Sequence, residues 1–183
     1  MAVEYTILGF EHIVPKGTDH ILFVLGLFLL SVRLRPILLQ VTAFTLAHSI
    51  TLGLTIYGAI SLSPSVIEPL IALSIVAVGV ENVFVKELKT RRVVIVFLFG
   101  LLHGMGFAGV LSGLGLPESD FLTALIFFNL GVEAGQLAVI ATAFLLVFWL
   151  LKNPQRYRQW VVIPISILIS LIGILWTYER VFL

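Results

Sequence analysis

Long apolar runs, separated by short polar or charged stretches, make up most of the 183-residue chain. A helix of about 20 apolar residues crosses about 30 Å of hydrocarbon, so we predict that each run spans a membrane. The predicted spans cover residues 19–32, 36–57, 65–85, 93–111, 121–151 and 160–178. This pattern predicts an all-α membrane protein with a single domain over residues 1–183, a bundle of six transmembrane helices.

The chain in front of the first span has a different character. Residues 1–10 mix apolar side chains with Glu4 and Tyr5, and they are too few and too polar to cross a bilayer. We interpret them as a short N-terminal interfacial segment. Pro15 and Gly17 then break the chain. The side chain of Thr18 or Asp19 can cap the next helix by accepting a hydrogen bond from a free N–H group.

Composition agrees with a membrane protein. Hydrophobic residues form 60% of the chain and charged residues 11%, whereas soluble domains average about 45–50% and about 25%. A net charge of +1, without basic and aromatic residues interleaved, argues against nucleic acid as a partner. Cysteine is absent, which excludes disulfides, thiolate metal ligands and a cysteine nucleophile. The lipid bilayer is therefore the expected surrounding of this chain.

The charges of the loops predict the orientation of the chain. Lysine and arginine occur in the first, third and fifth connections but not in the second and fourth, at Arg33, Arg35, Lys86, Lys89, Arg91, Arg92, Lys152, Arg156 and Arg158. Positively charged loops stay on the cytoplasmic side. Both termini are therefore predicted to lie outside.

The stretch Glu11–His20, with the sequence E-H-I-V-P-K-G-T-D-H, stands just in front of the first span. It brings two histidines and two carboxylates into ten residues, next to a long apolar run. The predicted orientation places it at the outer surface. We interpret His12, Asp19 and His20 as the mouth of a metal site, or as half of its ligands.

Further ionisable residues lie inside the predicted spans, where they are rare because burial in hydrocarbon is costly. Imidazole and carboxylate groups together suit divalent first-row metals. The predicted cofactor is a divalent transition metal ion, nickel, cobalt or zinc, with the candidate ligands His12, Asp19, His20, His48, His103 and Glu133. Residues predicted to support these ligands or to line a pathway are Thr45, Ser49, Glu81, Asn82, Asn129 and Gln136.

Spacing groups some of these residues. Asn129, Glu133 and Gln136 follow each other at i, i+4 and i+7, which places them on one face of a helix. Pairs of glycines four residues apart bracket two of the candidate ligands: Gly100 and Gly104 surround His103, and Gly131 and Gly135 surround Glu133. Such small residues let helix backbones approach each other closely.

Less specific interpretations stay open for the same residues. A single histidine in a membrane helix is often only a hydrogen-bond partner between helices, and the whole set can form a structural network without metal. Glu81 can pair with Lys86 or Arg92 near the cytoplasmic end of its span. Glu68 stands at a helix start, where a carboxylate interacts favourably with the helix dipole.

Five motifs, in order along the chain, resemble the HupE/UreJ family of small membrane proteins. They are G-F-E-H-I and G-T-D-H-I-L-F within residues 9–23, T-A-F-T-L-A-H-S-I-T-L at 42–52, V-E-N at 80–82, F-G-L-L-H-G-M-G-F-A at 99–108 and F-N-L-G-V-E-A-G-Q at 128–136. Members of this family are associated with hydrogenase and urease operons and are regarded as nickel or cobalt permeases. The chain looks closer to a second, broader branch of the family.

The resemblance implies roles for particular residues. The family's N-terminal histidine and aspartate–histidine signature is taken to select the metal, and it corresponds here to His12, Asp19 and His20, with the spacing H-x6-D-H. It also implies an integral protein of the bacterial cytoplasmic (inner) membrane. In this hypothesis His12, Asp19 and His20 capture the ion at the outer face. His48, His103 and Glu133 hold it deeper, and Glu81 offers the next step.

Three functions are compatible with these residues. The first is secondary transport of nickel or cobalt. The second is a membrane-embedded, zinc-type hydrolase, in which Glu81 or Glu133 serves as general base. The third is a structural or assembly protein whose polar network holds no metal. Because six short helices enclose little space, we also expect a homo-oligomer.

Overall fold

A computed structural model describes residues 2–112 and 120–183, with side chains for residues 2–107 and 120–183. The regular elements in these ranges are helical, which confirms the predicted all-α class. The α-helices are α1 (Ala2–Ile13), α2 (Thr18–Leu30), α3 (Leu34–Ile56), α4 (Pro64–Phe84), α5 (Arg91–Ser112), α6 (Phe121–Val147), α7 (Pro154–Tyr157) and α8 (Ile163–Phe182). A π-helical turn, Arg158–Val162, joins α7 to α8.

Four segments are long and apolar enough to cross a membrane: α3, α4, α6 and the α7–α8 segment Pro154–Phe182. The pair α1 and α2 passes the same test as one unit with a bend of 73° between its helices, which gives up to five candidate spans in the described part of the chain. The 22-residue α5 packs along α3. The count of six spans and the outward termini stay predictions.

The N-terminal segment packs more deeply than an interfacial helix was expected to do. Helix α1 reaches Ile13, beyond the predicted ten residues, and it lies along α6. Gly9, His12 and Ile13 near its end are buried. The break at Pro15 and Gly17, predicted from the sequence, then lets α2 turn back into the bundle. In this way α1 and α2 form one bent unit.

Glycines allow two helix pairs to pack with their backbones in close contact. A Cβ atom on Gly131 of α6 would overlap the carbonyl oxygen of Thr6 in α1. A Cβ atom on Gly104 of α5 would overlap the carbonyl oxygen of His48 and the hydroxyl of Thr51 in α3. These contacts confirm the prediction that the paired glycines mark close packing. They also fix the distance between α3 and α5, which carry two of the histidines.

We expect Gly131→Val to destabilise the fold. The new side chain would push α1 away from α6, and overpacking of this kind costs about 1–3 kcal/mol. The thermal unfolding midpoint of the protein in detergent should therefore fall. Ala134→Val, on the exposed side of the same helix, is the control and should stay close to wild type. Equal effects of the two changes would contradict this packing.

Candidate metal centre

Four histidines from four different helices meet in the interior. His12 comes from the end of α1, His20 from the first turn of α2, His48 from α3 and His103 from α5. The ring of His20 lies 4.6 Å from that of His12, 5.8 Å from that of His48 and 5.0 Å from that of His103, measured between centroids. The His20 ring is therefore the centre of the cluster.

Three of these histidines have the spacing of metal ligands. One nitrogen from each of His12, His20 and His48 lies within 4.8 Å of the corresponding nitrogens of the other two. Among the described residues, this is the one group of three or more potential ligand side chains with such a spacing. His103 stands outside this group but adjoins it through His20.

Hydrogen bonds hold the Nδ1 side of three rings. The Nδ1 atom of His20 lies 3.0 Å from the Asp19 carboxylate, that of His48 lies 3.1 Å from Asn129 Oδ1, and that of His103 lies 2.8 Å from the Phe99 carbonyl oxygen. These acceptors have no proton to give, so Nδ1–H is the donor in each pair. The Asn129 amide group is itself oriented, because its Nδ2 donates to the Leu125 carbonyl at 2.8 Å.

The opposite ring nitrogens have no partner among the residues that the structure describes. The Nε2 atoms of all four histidines are buried and without a hydrogen bond. Leaving one buried polar atom unsatisfied costs about 1–3 kcal/mol, and here four such atoms lie in one cluster. In the three rings whose Nδ1 carries the proton, Nε2 presents a lone pair. This is the arrangement by which a histidine binds a metal while its other nitrogen is held by a carboxylate or carbonyl.

Aromatic rings enclose the cluster. Phe107 lies 3.7 Å and Phe128 5.6 Å from the His12 ring, and the two phenylalanines stack on each other. A second pair, Phe23 and Phe44, lies 5.3 Å and 5.0 Å from the His103 ring. These apolar walls exclude water, so a charge bound among the histidines would interact strongly with their nitrogens.

Of the two interpretations of the N-terminal histidines, a separate outer mouth or half of the ligands of one site, the structure agrees with the second. His12 and His20 lie beside His48 and His103, because the bend between α1 and α2 carries the N-terminal histidines into the bundle. Asp19 reaches the cluster through its hydrogen bond to His20, and its side chain is 25% exposed. All four histidines thus belong to one centre.

Glu133 is not part of the three-histidine group. Its carboxylate accepts a hydrogen bond from the Thr42 hydroxyl at 2.6 Å. Nearby, the Thr45 hydroxyl donates to Gln136 Oε1 at 3.1 Å and the Ser49 hydroxyl donates to the Thr45 carbonyl at 2.7 Å. The predicted polar face of α6 therefore pairs with α3, and of its residues Asn129 contacts a histidine.

Glu81 and Asn82 lie in a second polar cluster. The Arg92 guanidinium is buried and lies 3.0 Å from the Glu81 carboxylate and 3.0 Å from Asn82 Oδ1. Asn82 also donates to the Gly26 carbonyl oxygen at 2.7 Å. Of the two interpretations of Glu81, the ion pair with Arg92 is the one observed. Its predicted role in a metal pathway stays untested.

Sequence reasoning missed the aromatic walls and the burial of Arg92. The signal for two of the wall residues is spacing: Phe44 precedes His48 by one helical turn, and Phe107 follows His103 by one turn. The sequence predicts Arg92 to be a loop charge, because it follows Arg91 and lies three residues after Lys89. No local pattern distinguishes it from them, since its partners Glu81 and Gly26 come from other helices.

The fold and the cluster define a helical integral membrane protein with a buried centre of four histidines. The family described as HupE / UreJ protein matches residues 1–180. The chain belongs to this family, which is known for the transport of metals, nickel and cobalt, and the resemblance seen in the motifs is confirmed. No curated protein and no solved structure matches the chain.

We expect Asn129→Leu to weaken metal binding although Asn129 is not itself a proposed ligand. The change removes the acceptor of the His48 Nδ1–H group, and loss of such a supporting contact typically costs about 10–100-fold in metal affinity. Calorimetric titration of the purified protein with Co²⁺ measures the effect. Thr142→Val, which removes an exposed hydroxyl of the same helix, is the control. Unchanged affinity of the Asn129 variant would contradict the role assigned to this contact.

Proposed function

We propose that this protein is a secondary permease for a divalent transition metal ion, nickel or cobalt, which it carries through the histidine centre. His12, His20 and His48 bind the ion through Nε2, with His103 as the fourth nitrogen donor and Asp19 holding His20. The observation that carries the proposal is the set of four buried Nε2 atoms without partners, gathered from four helices.

The ligand chemistry favours a transition metal as cargo. Neutral imidazole suits nickel, copper, zinc and iron, whereas magnesium and calcium prefer oxygen ligands. The sequence has no G-x-x-x-x-G-K-[ST] motif for nucleotide phosphates. We propose that the membrane potential favours entry, at about 2.3 kcal/mol per charge per 100 mV. We place the protein in the bacterial cytoplasmic membrane, with six spans, both termini outside, and several copies in one assembly.

The alternative is a membrane-embedded metal-dependent hydrolase. One observation favours it: an apolar groove of about 470 Å³ begins at Val14 and Ile21, beside the cluster, and could hold an alkyl chain. The hydrolase also needs a general base near the metal. Glu81 is engaged with Arg92 and Asp19 with His20, and Glu133 lies outside the three-histidine group. The permease therefore accounts for more of the site.

Metal titration tests the histidine centre. Asparagine retains a polar group near the position of Nδ1 but lacks Nε2, so His20→Asn and His48→Asn remove a ligand atom and keep the position polar. We expect each to lower the affinity for Ni²⁺ and Co²⁺ by about 100-fold or more, since a lost ligand costs at least as much as a lost supporting contact. The control is Ser166→Ala, a buried position in α8. Equal affinity in all four proteins would overturn the proposal and leave a structural network.

Transport separates the permease from the hydrolase. Purified protein in liposomes that contain a metal-sensitive dye should admit Ni²⁺ or Co²⁺ when the membrane potential is negative inside. His48→Asn should abolish this flux, and Ser166→Ala should retain it. Metal that stays bound in one equivalent through purification, without flux in liposomes, would contradict the permease and favour the hydrolase, because a permease must release its ion.

A further inference from the structure

A shallow groove runs between α3 and α6, apart from the histidine centre, and Leu46, Ile126 and Leu130 form much of its wall. Its volume is about 240 Å³, and the polar residues that line it are Thr42, Thr45, Ser49, Asn129 and Glu133. Their side chains offer carboxylate, hydroxyl and amide oxygens. The groove therefore differs chemically from the histidine centre, which offers nitrogen.

Glu133 is the unusual member of this groove. It stands near the middle of the 27-residue α6, which is apolar enough to span a membrane, and its side chain is partly exposed there. A carboxylate at such a depth is costly, and carboxylates inside membrane helices commonly mark ion pathways. The hydrogen bond from Thr42 replaces only part of the hydration that the carboxylate would have in water.

The hydroxyl groups that line the groove have acceptors for their protons. Thr42 donates its proton to Glu133, Thr45 donates to Gln136 and Ser49 donates to the Thr45 carbonyl. A hydroxyl has one proton and two lone pairs. Because each proton points to a protein acceptor, the oxygen lone pairs are left for another partner. Together with the Glu133 carboxylate they form an oxygen donor set for a positive ion.

Asn129 connects this groove to the histidine centre. Its side chain lines the groove and also accepts the hydrogen bond from His48. On α3, Thr42 lies six residues before His48, which places it about 9 Å from His48 toward the Arg33 end of the helix. A straighter path for the ion from His103 toward the same end of the bundle is blocked. Phe23 and Phe44 contact the His103 ring there and belong to a packed apolar core.

We infer that the groove between α3 and α6 is a second cation site, at which Glu133 and Thr42 receive the metal ion after it leaves the histidines. This inference rests on the proposed transport function and adds a route to it. Oxygen donors hold nickel and cobalt more weakly than imidazole does, and they suit manganese. The second site therefore favours release of the ion, and Asn129 separates it from the first.

Mn²⁺ is the probe for the second site, because it prefers oxygen ligands and gives an electron paramagnetic resonance signal that changes on binding. We expect the purified wild-type protein and His20→Asn to bind Mn²⁺ alike. Glu133→Gln should lose this binding, and Thr42→Val should weaken it. Glu68→Gln, which neutralises an exposed carboxylate of α4, is the matched control and should bind Mn²⁺ as the wild type does.

Transport kinetics provide the second readout. Glu133→Gln should leave the calorimetric affinity for Ni²⁺ at the histidines unchanged but slow Ni²⁺ flux into liposomes by about tenfold or more, as loss of one site contact commonly does. Unchanged Mn²⁺ binding or unchanged flux in Glu133→Gln would overturn the second site while the histidine centre stands. Unchanged Mn²⁺ binding with a loss of oligomeric state would instead assign the groove to contact between two copies. If His20→Asn and His48→Asn bind Ni²⁺ as the wild type does, the transport proposal itself would be overturned.

Discussion

The structure depends on a constraint that a membrane interior imposes on polar atoms: each buried nitrogen or oxygen needs a partner, because no water can supply one. Three histidines meet this constraint on one side only, where Asp19, Asn129 and the Phe99 carbonyl accept from Nδ1. The other side of every ring in the cluster is left open. A fold that satisfies Nδ1 of three imidazoles and leaves Nε2 of all four without a partner, in the same place, is organised for a cation.

The packing of the helices serves this arrangement. Gly104 lets the backbone of α5 pack against the His48 carbonyl of α3. This contact brings together the two helices that carry His48 and His103. Gly131 seats α1 on α6, and the 73° bend between α1 and α2 then turns His20 toward His12. The buried ion pair of Arg92 and Glu81 and the Asn82–Gly26 hydrogen bond join α5 and α4 to α2. Each of these contacts fixes a helix that carries a ligand or its support.

Much of this could be read from the sequence, and the rest depended on tertiary distances. Apolar runs predicted the helices to within a few residues in most cases, and the scarcity of ionisable residues in them singled out His48 and His103. The sequence could not show that His12 joins these two. Its position depends on the angle at the four-residue break between α1 and α2 and on the packing of α1 against α6. Helical periodicity grouped Asn129, Glu133 and Gln136, but a shared face does not decide which neighbour each side chain meets. Asn129 meets a histidine and Glu133 meets Thr42.

The central claim is that imidazole nitrogens from several helices bind one ion. X-ray absorption spectroscopy of the purified protein loaded with one equivalent of Ni²⁺ tests it most directly, because imidazole rings give a characteristic scattering pattern. We expect at least three imidazole ligands in the wild-type protein and one fewer in His48→Asn. A spectrum with oxygen ligands alone, or one that is the same in both proteins, would contradict it.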